Sequence, residues 1–251
     1  MTETLYLTRA TLRRNASAAA IRPLLTPDDD SVRVSAAHRL VWTLFADSPD
    51  RERDFLWREA SPGMFYLLSQ RRPEDATGLF DIDEPKEFAP ALRVGDRLQF
   101  SLRANATVAR GAGSGGRGKP HDVVMDALFR IPRGERGKVR DEVTQAVGAK
   151  WLAAQGARAG FAIGEEAVEG GGGEVVENND VRMSIRAGPH VRVTRYSTLR
   201  LDRKGRPAEL GVLDFEGMLE VREPALFTMA LAKGFGRAKA FGCGLMLIRR
   251  A

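Results

Sequence analysis

Two changes of hydrophobic period within the first 70 residues restrict the fold of this chain more than any other feature. ETLYLTRATL, residues 3–12, alternates as a strand with one buried face does. VSAAHRLVWTLF follows, with Val34, Ala37, Leu40, Val41, Leu44 and Phe45 at spacings of three and four, which predicts a helix. DFLWREAS and MFYLLSQRR then flank a Ser-Pro-Gly turn and predict a hairpin. Strand, helix, hairpin is the order that opens a ferredoxin-like βαββαβ unit. The remainder of this half is weakly patterned, and EPKEFAPALRVGDRLQF is expected to be a linker entering a new strand.

The second half follows the same plan with additions. RLQFSLRANATV predicts a strand, and ARGAGSGGRGKPHD is too rich in glycine to hold one conformation without a partner. KVRDEVTQAVGAKWLAAQGARAG predicts a helix ending at glycine. A short strand and a GGGG loop lead to DVRMSIRAGPHVRVTRYSTLRLD and ELGVLDFEGMLEV, a long hairpin with the basic tip DRKGRPA. EPALFTMALAKG predicts a helix starting near Pro224 and capped by Gly234, and FGCGLMLIRR predicts a final strand. The expected fold class is α+β, with two tandem ferredoxin-like (RRM-like) domains at 1–92 and 93–251. The second carries an elaborated basic β-hairpin. Trp42 and Trp57 fall within helical and strand patterns and read as core.

The stretch KGFGRAKAFGCGLMLIRR, residues 233–250, superficially resembles a dinucleotide fingerprint. Such a loop leaves a strand and enters a helix, so that phosphate meets the helix N-terminus. Here the predicted order is helix, glycines, strand, and the helix end on offer is the negative one. No Gly-Lys-Ser/Thr follows either, so a nucleotide cofactor is disfavoured and none is expected. Two readings stay open: the glycines let backbones cross closely, or they admit an RNA backbone to Arg237 and Lys239.

Charge is unevenly divided. Residues 1–100 hold 14 Lys+Arg against 16 Asp+Glu, whereas residues 101–251 hold 25 against 17. Residues 182–206 carry eight basic side chains and one acid, Asp202. A field this concentrated attracts a polyanion, and arginine, 32 residues against 7 lysines, grips phosphate bidentately. The same arginine bias also arises in GC-rich genomes. No stretch approaches the roughly 20 apolar residues of a membrane span, no signal peptide is apparent, and the single Cys243 suits a reducing, cytoplasmic setting.

GFGRAKAFGCGLMLIRR, LRANATV at 102–108, GKPHDVV at 118–124, AAHRLVWTLF at 36–45, RDFLWR at 53–58 and LDFEGMLEV at 213–221 fall in an ordered series. Together, from Leu5 to Arg250, they resemble the CasE family, the CRISPR-associated endoribonuclease of the subtype I-E system. The resemblance implies RNA-recognising ferredoxin-like domains and cleavage of the CRISPR precursor transcript beside each repeat stem-loop. It also implies retention of the product as a subunit of Cascade, with the other Cascade subunits as partners. No metal is required in the family. The implied chemistry is attack of a 2′-hydroxyl on its adjacent phosphorus with departure of the 5′-oxygen. That reaction needs a base, an acid and positive charge to steady the phosphorane.

His38 occupies the position matching the family's catalytic histidine, beside Arg39. Imidazole suits proton transfer near neutral pH. Family members carry a tyrosine three residues earlier, on the same helical face, where this chain has Ser35. An ordinary serine hydroxyl is a poor acid or base, so the second proton-transfer role is open: a cationic neighbour such as Arg39 or Lys204 supplies it, or Ser35 positions substrate. His121 reads as a loop or cap residue before a functional one, His190 is a weaker candidate for phosphate contact, and Asp28–Asp30 reads as a solvated loop rather than a metal site. An A-form stem admits only a thin projecting element to its deep groove. The hairpin bearing Arg195, Arg200, Arg203, Lys204 and Arg206 is such an element, while Arg103, Arg110 and Lys119 flank the glycine-rich loop. Replacing Arg203 and Lys204 together by alanine is expected to weaken stem-loop binding. It should also reduce the salt slope by about one unit per lost phosphate contact; an unchanged slope in a filter-binding titration removes the hairpin from the phosphate interface.

Overall fold

The computed structural model describes residues 4–13, 27, 30–46, 52–111, 118–163, 191–203 and 206–251. Two antiparallel sheets dominate them. In the first, β2 (Phe55–Ser61), β3 (Met64–Ser69), β1 (Tyr6–Leu12) and β4 (Phe80–Ile82) lie in that order, and β5 (Lys86–Glu87) also pairs with β1. Helix α1 (Asp30–Thr43) covers one face. Its stripe of Ala37, Leu40, Val41 and Leu44 packs on Phe55, Trp57, Phe65, Leu67 and Phe80, as the spacing anticipates. Trp57 is buried in this core, and Trp42 packs against it.

This first unit departs from expectation after β3. No second helix lies between β3 and β4; the Asp75 carboxylate instead folds the connection by accepting from the Thr77 and Phe80 backbone N–H groups and the Thr77 hydroxyl. The segment expected to be a linker contains β5, with Lys86 opposite Leu7 and Glu87 opposite Tyr6.

The second sheet runs β10 (Val191–Arg203), β11 (Arg206–Val221), β6 (Arg97–Ala104), β12 (Met246–Arg250), with β9 (Phe161–Ile163) also on β11. The last strand thus sits beside the first, with the hairpin on the other side, the arrangement that a βαββαβ unit produces. Helices α3 (Arg136–Ala159) and α4 (Pro224–Lys233) cover one face and bury Trp151, Leu152, Phe227 and Leu231 against Phe100, Leu102 and Phe215. Neither they nor any other described helix is long and apolar enough to cross a membrane.

The expected single strand over 97–108 breaks at Asn105 and Ala106. β7 (Thr107–Arg110) instead pairs with β8 (Lys119–Asp122), so both limbs of the glycine-rich loop form a separate ribbon. A short helix unforeseen in the sequence, α2 (Val123–Phe129), follows, N-capped by the Asp122 carboxylate, which accepts from Met125 N–H at 2.8 Å.

The helix-free faces of the two sheets meet. On β2, Phe55 and Trp57 point toward α1 while Leu56 and Arg58 point toward the second sheet. Leu56 and Leu68 bury Leu245, and the Arg58 Nη1 donates to the Ser101 hydroxyl at 2.9 Å. Leu245 is 1% exposed. Its replacement by alanine is expected to cost about 2–5 kcal/mol; a urea-denaturation midpoint shifted by less than the equivalent of ~1 kcal/mol shows that the seam contributes little to stability.

Candidate functional site

The same helix that fills the first core carries His38 on its other side. Val34, one turn earlier, leaves the first core and packs with Leu199, Val212 and Cys243 of the second unit. Following that face, the His38 ring lies 5.9 Å from the Phe241 ring and 6.3 Å edge-on from Trp42. Its Nδ1 is buried with no hydrogen-bond partner among the described residues. Burial pushes the His38 pKa below its ordinary 6.5, opposed by the nearby Ala240 carbonyl and reinforced by the positive charges of Arg53 and Arg39. The imidazole is therefore neutral at neutral pH and able to accept a proton.

Phe241 reaches His38 from the glycine-rich stretch 234–245. Helix α4 ends at Gly234, with φ 76°, and the chain then enters a single 3-10 turn, Lys239–Phe241, before β12. Gly236, Ala238, Gly242 and Gly244 also have positive φ, and Ala238 is the one non-glycine with this geometry among the described residues. At Gly242, with φ 73°, a Cβ would come within 3.1 Å of the Trp57 ring, so only glycine lets the loop lie flat on that indole. The Trp57 Nε1–H in turn donates to the Ala240 carbonyl at 3.2 Å. Backbone bonds from Phe235 N–H to Gly244 and from Gly244 N–H to Arg103 tie down the rest. These contacts support the structural reading of the glycines. The order is helix to strand, and Lys239 Nζ donates to the Lys233 carbonyl at the negative end of α4, at 2.6 Å.

Three elements thus converge on one apolar cluster: α1 through Val34, the long hairpin through Leu199 and Val212, and the glycine loop through Cys243, Ala238 and Phe241. Ser35 is half-buried one turn before His38, and Arg39 is exposed beside it. On the hairpin, Arg195 is exposed opposite Asp214, and Arg200, also exposed, pairs with Glu209 at 3.3 Å. Arg203 and Arg206 face each other where the strands close, and Lys204 lies outside the described residues. Arg237 is exposed, and its N–H makes a 3.5 Å contact with the Asn105 carbonyl.

The cations around the first glycine-rich loop are spread apart. Lys119 is exposed. Arg110, opposite it in the ribbon, is held by both carboxylate oxygens of Asp126. Arg103 lies in the seam between the sheets, its side chain 18% exposed and facing Asp214 at 3.8 Å, so little of its guanidinium is available at the surface. His121 is exposed on β8, while His190, Asp28 and Asp29 fall outside the described residues. Among the described residues no group of three His, Cys, Asp or Glu side chains is arranged to hold a metal ion.

Arg53 is the residue that the sequence reading missed. It precedes β2, donates from Nη1 to the Phe55 carbonyl at 2.6 Å, and acts electrostatically on both His38 and Lys239. Nothing in RERDF distinguishes it from the chain's other arginines; only the fold brings it to α1 and the loop. Proton NMR titration is expected to give His38 a pKa below 6.5, and Arg53→Ala should move it upward. An unmoved titration shows that Arg53 does not set the state of the imidazole.

A family model described as CRISPR associated protein matches residues 5–250. The chain is 28% identical to the CRISPR-associated endoribonuclease Cse3 of Thermus thermophilus, over 97% of its own length and 99% of the relative's. It is 26% identical to the CRISPR system Cascade subunit CasE of Escherichia coli, over 83% and 88% of the two lengths. A solved structure of Thermus thermophilus Cse3 bound to an RNA representing a pre-cleavage complex superposes with a TM-score of 0.64 at 25% identity, covering 98% of this chain and 99% of that one. With its fold shared and its sequence matched almost end to end, the chain belongs to the CRISPR-associated protein family.

Proposed function

We propose that this protein is a metal-independent endoribonuclease that cleaves CRISPR precursor RNA beside the repeat stem-loop and keeps the product as a Cascade subunit. The observation that carries the reading is the neutral, half-buried His38, set where α1, the basic hairpin and the glycine loop meet. Relatives named as an endoribonuclease and as a Cascade subunit support it over nearly the whole chain. In this reading residues 1–92 contribute His38, and residues 93–251 contribute the hairpin and the loop.

Neutral imidazole takes the proton of the 2′-hydroxyl as that oxygen forms its bond to the adjacent phosphorus. The phosphorane collapses as the 5′-oxygen departs and takes a proton from solvent, which leaves a 2′,3′-cyclic phosphate and a 5′-hydroxyl. Burial, helped by the charges of Arg53 and Arg39, keeps His38 unprotonated beforehand, and the same two guanidinium groups steady the phosphorane's charge. Ser35 lies one turn from His38 and orients the substrate. Arg195, Arg200, Arg203, Lys204 and Arg206 on the hairpin, Lys119 and Arg110 on the ribbon, and Arg237 on the loop hold phosphates of the stem.

Cognate repeat RNA should be cut in EDTA, and His38→Ala should slow single-turnover cleavage by about 100-fold or more. The rate should rise with pH through a pKa below 6.5 and then level off, because the active form is the deprotonated one. Undiminished cleavage by His38→Ala overturns the mechanism. Ser35 in place of the family tyrosine favours one rival, a non-catalytic scaffold for mature CRISPR RNA. Tight stem-loop binding by wild-type protein with no cleavage in single turnover establishes that rival instead.

A further inference from the structure

Between the two units lies a cleft of about 680 Å³, within the range that takes a nucleotide-sized ligand. Three of its lining residues are cations from three separate segments: Arg53 before β2, Lys233 at the end of α4, and Lys239 in the 3-10 turn. Its acids are Asp54, which accepts from Arg71 Nε and Nη2 at 2.7 and 2.9 Å, and Glu87. Like charges gathered at one wall repel one another, and burial with Arg53 and Lys233 nearby lowers the Lys239 pKa. An anion relieves that repulsion. The remaining wall sets Thr4, Gln70 and Thr228 among apolar side chains, with the half-buried Phe88 and with Met229, 62% exposed on α4.

Two ring contacts and one shared arginine link the cleft to the reacting position. Phe55 forms part of its wall and meets Trp42 edge-on at 5.1 Å, and Trp42 meets His38. Arg53 belongs to both places, lining the cleft and acting on the imidazole. A single strand that passes His38 thus has a cationic, partly apolar recess two side chains away.

We propose that this cleft is a binding site for the single-stranded nucleotide immediately downstream of the cut. Arg53, Lys233 and Lys239 take the phosphate on its 3′ side, and Phe88 and Met229 take its base. The inference rests on the endoribonuclease reading above and adds to it a strand-exit site that holds the downstream fragment in line. It also gives Lys233, a residue the sequence did not single out, a role in substrate positioning.

The test compares two stem-loop RNAs, both blocked by a 2′-deoxy sugar at the scissile position. One ends at the scissile phosphate and the other continues for two nucleotides. Wild-type protein should bind the longer RNA roughly tenfold more tightly, with a salt slope steeper by about 0.7 for each added phosphate contact. In the Lys233→Met, Lys239→Met double variant, which keeps the aliphatic stems, this increment should fall below about twofold. The short RNA reports on folding and should keep its affinity. Equal affinity of wild type for both RNAs overturns the inference alone, as does an increment that survives in the double variant. Failure to bind either RNA overturns the proposed function and this inference with it.

Discussion

The small apolar cluster of Val34, Leu199, Val212 and Cys243 is the contact on which the rest of the arrangement depends. Helix α1 has a complete reason to exist without it, because Ala37, Leu40, Val41 and Leu44 already fill the first core. What the cluster adds is orientation. Val34 ties the first turn of α1 to the hairpin and to the glycine loop, and this places His38 under Phe241 rather than in open solvent. Desolvation is then unavoidable, and a desolvated imidazole prefers to be neutral. The protonation state at the site therefore follows from an apolar contact and not from a hydrogen bond.

The loop completing that contact is built against local preference. Five residues between 234 and 244 have positive φ, and one of them, Ala238, bears a side chain. For an alanine the left-handed region costs roughly 1–2 kcal/mol. Such a backbone persists only where its surroundings determine it, and here they do: the Trp57 indole beneath Gly242, the Ala240 carbonyl on the Trp57 N–H, and two backbone bonds through Gly244. The strand that supplies Trp57 belongs to the other sheet, so each unit fixes the other's share of the site.

Much of the fold was legible because local physics decides it. The stripe on α1, the hairpin around Gly63, the glycine ends of α3 and α4 and the long basic hairpin all follow from period and turn chemistry within a few residues. The misses are non-local. β4 and β5 are two or three residues long and exist only because β1 offers an edge. β7 and β8 find each other across residues 112–117. Arg103 appeared to be a surface cation, but the alternate face of β6 turns toward the first sheet and Asp214. At the site, family likeness indicated His38. Its neutral state was hidden, since the Phe241 ring that packs on it arrives from about 200 residues further along the chain.

The bond from Trp57 to Ala240 also turns the protein into its own optical gauge. Of its three tryptophans, Trp42 touches His38, Trp57 supports the loop, and Trp151 lies in the second core stacked on Phe215 at 5.9 Å. Indole emission depends on the polarity around the ring and on what its N–H meets. Two of the three fluorophores therefore stand at the join between the units and one stands away from it. Ultraviolet-excited emission reads the closure of that join without any attached dye, and replacing Trp151 by phenylalanine leaves a signal that comes from the site alone.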